Sequence, residues 1–199
     1  MKSNRFKIFA AVLAIVVFSF SACTEREQNA TTAEVEATTW ASQDMASIFT
    51  GAGLSLLNQK VPAPDFSLPL AGDTDETVAL SDLEGRVVLL NFWASWCHNC
   101  RAEKPALQAL HSFYADADVV VLGVNLRENP ALVQSYMADH GITFPVALDT
   151  TGALGHVYGV HALPTSFIID RDGYVVAGVL GGLNWNSNNV RAVFEYLLR

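Results

Sequence analysis

Residues 86–100 have the sequence RVVLLNFWASWCHNC, an apolar run that ends in two cysteines separated by two residues. The run up to residue 93 is apolar and β-branched enough to predict a buried strand. Residues 101–113 predict a helix. The apolar side of this helix comprises Ala102, Leu107, Ala109 and Leu110. The first sulfur, on Cys97, then lies at a helix start, where unpaired backbone N–H groups and the helix dipole favour a thiolate.

The two sulfurs have different predicted roles. A thiolate at a helix N-terminus has its pKa lowered into a range of roughly 3.5–7.5 and is nucleophilic near neutral pH. We therefore expect Cys97 to attack and Cys100 to resolve, so that the reduced pair gives up two electrons when its disulfide forms and no cofactor is needed. Half of a zinc site is the alternative, but the sequence has no second Cys-x-x-Cys and no His-x-x-x-His. The pattern favours redox chemistry and predicts no metal.

Residues 1–23 have the features of an export signal. Three cations precede an apolar stretch over residues 8–20 that is too short for a comfortable membrane span. The segment ends in FSAC, small residues before a cysteine that resemble a bacterial lipoprotein processing site, with Cys23 as the lipidated residue. An ordinary secretory signal or an uncleaved anchor is the alternative. Either way, we expect the protein on the periplasmic side of a bacterial membrane.

Composition excludes some classes of partner. The formal net charge is −8, and the signal holds three of the 12 Lys and Arg and none of the 20 Asp and Glu. Nucleic acid is therefore not an expected partner, because its phosphates would repel such a chain. In an oxidising compartment thiols do not stay reduced without a supply of electrons. The redox pair thus requires an electron donor.

The rest of the sequence predicts one α/β domain. Residues 24–59 are a linker, with a short helix within residues 40–57, and residues 60–199 are the domain. Further strands are predicted at 61–66, 77–80, 119–125, 144–148, 165–170 and 174–179, and helices at 130–140, 153–158 and 190–198. Strands alternating with helices, followed by a hairpin and a helix, predict a sandwich with a mixed central β-sheet flanked by helices.

Two stretches of the sequence resemble a known protein family. The run NFWASWCHNC, residues 91–100, and Leu163-Pro164-Thr165 ahead of a strand resemble the thioredoxin fold. Within that fold the chain is similar to the exported TlpA, ResA and CcmG (DsbE) group, which shares the inserted helix and strand and Glu103. The resemblance implies a cis peptide bond before Pro164, beside the disulfide. It also assigns Leu163 and Pro164 to substrate binding.

Three other residues near the cysteines each have two alternative predicted roles. Glu103 suits proton transfer to or from Cys100, or a simple dipole interaction at a helix start. Trp96 suits an apolar rim for a docking partner, or packing. A protonated His98 would stabilise the thiolate, or would face solvent with little effect. His161 is a further candidate to approach the sulfurs.

The resemblance implies a membrane-tethered thiol–disulfide oxidoreductase. Its clients would be protein disulfides, such as those of apocytochromes c, and a membrane thiol transporter would supply electrons. A peroxiredoxin-like peroxidase needs Pro and Thr where this chain has Leu90 and Ala94. A Cu(I) metallochaperone is the other alternative, with thiolates as soft ligands and His156 or His161 as a third.

Overall fold

The structure is a computed structural model that describes residues 41–72 and 75–199. The predicted signal, Cys23 and the first part of the linker lie outside the described residues. Helices are α1 (Gln43–Gly51), α2 (His98–Phe113), α3 (Pro130–Asp139), α4 (Ala153–Val157) and α5 (Asn188–Leu197). Strands are β1 (Ser55–Pro62), β2 (Ser67–Pro69), β3 (Thr77–Ala79), β4 (Val87–Trp93), β5 (Val119–Leu126), β6 (Val146–Asp149), β7 (Thr165–Ile169) and β8 (Tyr174–Leu180).

The main sheet is mixed, as the sequence predicts. Its strand order is β1-β8-β7-β4-β5-β6, and β2 pairs with β3 in a separate ribbon. Strand β4 is parallel to β5, and β5 to β6. The β4–β7, β7–β8 and β8–β1 pairs are antiparallel. Strands β7 and β8 form the hairpin predicted across residues 171–173, and the α/β sandwich is confirmed.

Strand β4 has a hydrophobic core on each of its two faces and is buried along its whole length. Side chains alternate between the two faces of a strand. Val87, Leu89 and Trp93 therefore join one core with α1, α2 and α5. Val88, Leu90 and Phe92 join the other, with β2, β3 and α4. Asn91 has the odd parity of the first set, which directs this one polar side chain towards α2.

Strand β1 begins before the predicted domain boundary at residue 60. It pairs with β8 from Ser55 onwards, so the sheet includes residues assigned to the linker by sequence. The sequence hides this strand because most of its side chains are exposed at the sheet edge and show no apolar alternation. Helix α1, the short helix predicted in the linker, precedes it and is anchored to α5 by a 2.8 Å hydrogen bond from Asn189 Nδ2 to the Gly51 carbonyl.

Helix α2 differs from its prediction in its start and in its buried face. It begins at His98, not Arg101. The Cys97 sulfur caps it by accepting a 3.2 Å hydrogen bond from the Cys100 N–H, which is not a usual role for cysteine. Ala102, predicted on the apolar side, is exposed. The buried residues are Cys100, Glu103, Lys104, Leu107 and Leu110.

None of the helices within residues 41–72 and 75–199 is both long and apolar enough to cross a membrane.

Candidate redox site

The cysteine pair lies where β4 ends and α2 begins. Cys97 and Cys100 form a disulfide, with their Cα atoms 5.3 Å apart. Cys97 is 7% exposed and Cys100 is fully buried, so an incoming thiol can reach the first sulfur more readily than the second. The Cys97 sulfur also has the helix start and the Cys100 N–H to stabilise negative charge. This asymmetry supports the predicted roles of attacking and resolving sulfur.

Glu103 lies one turn after Cys100 and is buried, with 4% of its surface exposed. Its Oε1 accepts a 2.8 Å hydrogen bond from Asn91 Nδ2. Its Oε2 accepts hydrogen bonds from Trp185 Nε1 at 3.1 Å and from the Leu183 N–H at 3.2 Å. Three donors thus hold this carboxylate in the interior, and its role in proton transfer stays a prediction. Glu103 also lines a groove with Asn99.

A second buried ionisable group, Lys104, shares this network. Its Nζ donates a 2.9 Å hydrogen bond to Asn91 Oδ1 and lies 4.1 Å from the centre of the Trp93 ring. The Asn91 amide also donates a 2.9 Å hydrogen bond to Ser166 Oγ on β7. Asn91 thus uses both of its N–H donors and its carbonyl oxygen, and it connects Glu103 to Lys104. We name Asn91, Glu103, Lys104, Ser166 and Trp185 the buried polar network.

Burial perturbs both ionisable groups of this network. Desolvation raises the pKa of Glu103, although hydrogen bonds from Asn91 and Trp185 and the charge of Lys104 oppose the rise. Desolvation lowers the pKa of Lys104 from 10.5 to about 7, against the charge of Glu103. Two side chains whose proton affinities are shifted towards neutrality beside a redox pair mark a functional site.

The residues predicted to bind a client, Trp96, Leu163 and Pro164, come from the loop after β4 and the segment before β7. The Leu163–Pro164 peptide bond is cis, as predicted. Leu163 lines a groove with Trp96, which is 72% exposed, so Trp96 forms a rim rather than packing in the core. His156 and His161 line the same groove. His98 is the first residue of α2 and is exposed. Its predicted effect on the thiolate stays a prediction.

Glu128 positions the loop that carries the first cysteine. Its carboxylate accepts hydrogen bonds from the Ser95 N–H at 2.7 Å and from Ser95 Oγ at 2.6 Å. Asn125 Nδ2 at the end of β5 donates a third, also at 2.6 Å. These bonds connect the loop after β4 to the loop after β5, directly before Trp96 and Cys97.

Sequence reasoning missed Lys104, Ser166, Trp185 and Glu128. Only Lys104 had a usable signal, because it lies four residues after Cys100 and three before Leu107, on the buried stripe of α2. Trp185 and Ser166 come from distant strands and loops, and their contact with Glu103 and Asn91 needs the tertiary fold.

The described residues of the site add no support for the peroxidase or for the Cu(I) carrier. Leu90 and Ala94 are both fully buried apolar side chains, so they offer no hydroxyl for a peroxide. Across residues 41–72 and 75–199, no group of three or more His, Cys, Asp or Glu side chains is arranged to hold a metal ion. His156 and His161 lie in the groove beside Trp96, but with no third ligand grouped around them in that described region.

The sheet order and the disulfide at the start of α2 define this domain as a thioredoxin-fold domain with a closed Cys-x-x-Cys pair. Residues 60–177 match the sequence model of the AhpC/TSA family, and the chain belongs to that family.

Proteins with a similar sequence carry the name thiol-disulfide oxidoreductase. The chain is 38% identical over 123 residues to the thiol-disulfide oxidoreductase ResA of Oceanobacillus iheyensis, covering 61% of this chain and 64% of that protein. It is 37% identical over 131 residues to ResA of Bacillus subtilis, covering 65% and 72%. Against the first of these relatives the chain spans less than two thirds of the length.

A solved structure is also similar. The fold superposes with a TM-score of 0.65 on a protein from Chlorobium tepidum described as a thiol:disulfide interchange protein DsbE. The two are 36% identical, and the match covers 73% of this chain and all of the other. StoA from Bacillus subtilis matches with a TM-score of 0.53 at 28% identity, over 62% of this chain and 91% of that one.

Proposed function

We propose that the protein is a membrane-tethered oxidoreductase that reduces disulfide bonds in client proteins outside the cytoplasm. The observation that carries this proposal is the disulfide at the start of α2, in which Cys97 is slightly exposed and Cys100 is fully buried. Client binding would use the groove beside the pair, where Trp96 is exposed and Leu163 precedes the cis proline. The Cys97–Cys100 pair carries two electrons, so the reaction needs no bound cofactor.

In the reduced enzyme, the Cys97 thiolate attacks a client disulfide and displaces one client thiolate. A mixed disulfide between Cys97 and the client remains. Cys100 then loses its proton and attacks the Cys97 sulfur, which closes the Cys97–Cys100 bond and releases the second client thiolate. The client gains two electrons and the cysteine pair loses them. Glu103, buried one turn from Cys100, is the proposed acceptor of the Cys100 proton.

The location and partners are part of the same proposal. The export signal and the FSAC sequence support lipidation at Cys23 and placement on the periplasmic side. A membrane thiol transporter would return electrons to the pair. Apocytochromes c are the client class that the resemblance to the TlpA, ResA and CcmG group implies.

The test is capture of clients by the Cys100→Ser protein in intact cells. Without the resolving sulfur, the mixed disulfide should persist, and non-reducing gels should show Cys97-linked adducts that mass spectrometry identifies as exported proteins. The matched control is the Cys97→Ser protein, which should form none. Equal adduct levels in the two variants would contradict the proposed mechanism.

A further inference from the structure

Lys104 is a cation in a place where an apolar side chain would pack. It is 3% exposed and lies on the buried face of α2 between Cys100 and Leu107. Nowhere in residues 41–72 and 75–199 does it form an ion pair. Removing an ammonium from water carries a penalty of several kcal/mol unless its environment compensates. Here the compensation is one hydrogen bond to Asn91 and the face of the Trp93 ring.

Asn91 transmits the charge of Lys104 to Glu103. Its carbonyl oxygen lies 2.9 Å from Lys104 Nζ, and its amide nitrogen lies 2.8 Å from Glu103 Oε1. The amide dipole therefore has its negative end at the cation and its positive end at the carboxylate. In this orientation each charge favours the other, because a charged Lys104 strengthens the donor that Asn91 presents to Glu103.

The surroundings offer Lys104 no other carboxylate in the network. The titratable or charged groups near Lys104 are Glu103 and Arg101 on α2, His140 after α3, Tyr136, whose ring packs at a tilt against Trp93, and His111, whose ring contacts Phe144. Arg101 and His140 line an outer groove and cannot neutralise a cation. Glu103 is therefore the group on which the Lys104 charge acts.

We propose that Lys104 is a positioning residue for proton transfer, which acts through Asn91 to keep Glu103 ionised until Cys100 delivers its proton. This inference rests on the proposed function and deepens it. In the resolving step, the Cys100 S–H bond breaks and its proton passes to the Glu103 carboxylate. The Cys100 thiolate then forms the bond to Cys97 Sγ, and the client thiolate leaves and takes a proton from water. Without the Lys104 cation, the desolvated Glu103 carboxylate would lose a charge that opposes the rise in its pKa.

The test compares Lys104→Met with Lys104→Gln in the full chain, purified in detergent. Methionine removes the charge and the hydrogen bond at similar length, whereas glutamine removes the charge and keeps a donor for Asn91. Carbon-13 NMR of the Glu103 carboxyl reports its titration directly, and Glu103→Gln identifies its resonance. Lys60→Met is the matched control, because Lys60 is a half-exposed lysine whose partner is Asp170.

Both Lys104 variants should weaken the acidity of Glu103 by tenfold or more in its dissociation constant, about 1.4 kcal/mol. The resolving step near pH 7 should slow by a similar factor, and Lys60→Met should match the wild type. A wild-type titration of Glu103 in Lys104→Gln would overturn the proposal, since the hydrogen bond and not the charge would then matter. So would an unchanged titration in both variants.

A measurement on the unaltered protein covers failure of the variants to fold. Nitrogen-15 NMR of lysine-labelled protein should show that the Lys104 Nζ resonance responds over the pH range in which the carbon-13 resonance of the Glu103 carboxyl titrates, because the two charges favour each other through Asn91. A Lys104 resonance that does not change across the Glu103 titration would overturn the proposal.

Neither NMR titration involves a client. A shifted Glu103 titration together with no captured client would therefore reject the oxidoreductase proposal and keep the role of Lys104. Captured clients with an unshifted Glu103 titration would reject the role of Lys104 alone.

Discussion

At the scale of single residues, the site combines a sulfur at the start of α2 with two buried ionisable groups. Cys97 caps α2 with its own sulfur, so the group that we propose as the nucleophile is also the group that the helix start stabilises. Glu103 and Lys104 lie behind it, bridged by one asparagine.

The burial of Lys104 predicts how the free energy of unfolding depends on pH. Its pKa is lowered from 10.5 to about 7 in the folded protein, so between these values the unfolded chain binds more protons. Stability from this group is therefore present above about pH 10.5 and is lost as the pH falls towards 7, by up to about 1.4 kcal/mol per pH unit. The free energy of unfolding of the wild type, measured by urea denaturation, should rise with pH relative to that of Lys104→Met. Parallel pH dependences would show that Lys104 keeps its ordinary pKa.

At the scale of elements, the loops after β4 and β5 hold the reactive turn in place. Glu128 accepts three hydrogen bonds across these loops, two of them from Ser95. The carboxylate thereby restrains the backbone directly before Trp96 and Cys97. A glutamine keeps one acceptor oxygen and can donate to the Ser95 hydroxyl, but it lacks the negative charge that strengthens all three hydrogen bonds.

We expect Glu128→Gln to destabilise the protein by about 1.5–3 kcal/mol, the range for a hydrogen bond to a charged group. Amide hydrogen exchange at Ser95 and Trp96 should accelerate, since the restraint on this loop is lost. Glu84→Gln, on an exposed turn away from the site, serves as the control. Unchanged protection at Ser95 would show that Glu128 does not hold the loop.

The sequence predicted the elements well where they are buried and poorly where they are not. Strand β4 and the cysteine turn carried a strong apolar signal, and the alternation of strands and helices was enough for the sandwich. The predicted start of β1 was too far along the chain, because an exposed edge strand needs no apolar pattern. The predicted apolar face of α2 was partly wrong, because Glu103 and Lys104 occupy buried positions that a hydrophobic pattern assigns to alanine. Their partners, Asn91 and Trp185, are brought to them only by the tertiary fold.

At the scale of the whole molecule, the proposal joins a redox domain to a membrane through the N-terminal segment. The described domain places its exposed Trp96 and the adjoining groove beyond the carboxyl end of β4, where a client could reach them. Tethering would keep this face near membrane-bound partners and raise their effective concentration.

Lipidation at Cys23 is testable by metabolic labelling. Radiolabelled palmitate should enter the wild-type protein and should be absent from Cys23→Ala, because the proposed lipid is carried at that residue. The Cys97→Ser/Cys100→Ser protein should be labelled as strongly as the wild type, since the redox pair has no part in anchoring. An unlabelled wild-type protein would remove lipidation from the account.

We propose that Cys97 is the acidic nucleophile of the pair and that Cys100 is its enclosed partner. Alkylation of the reduced protein by iodoacetamide as a function of pH tests this proposal, with mass spectrometry assigning the modified cysteine. We expect rapid modification of Cys97 alone, with a titration midpoint below about 7.5 rather than near the ordinary value of about 8.5. Equal modification of both cysteines, or a midpoint near 8.5 for Cys97, would contradict it.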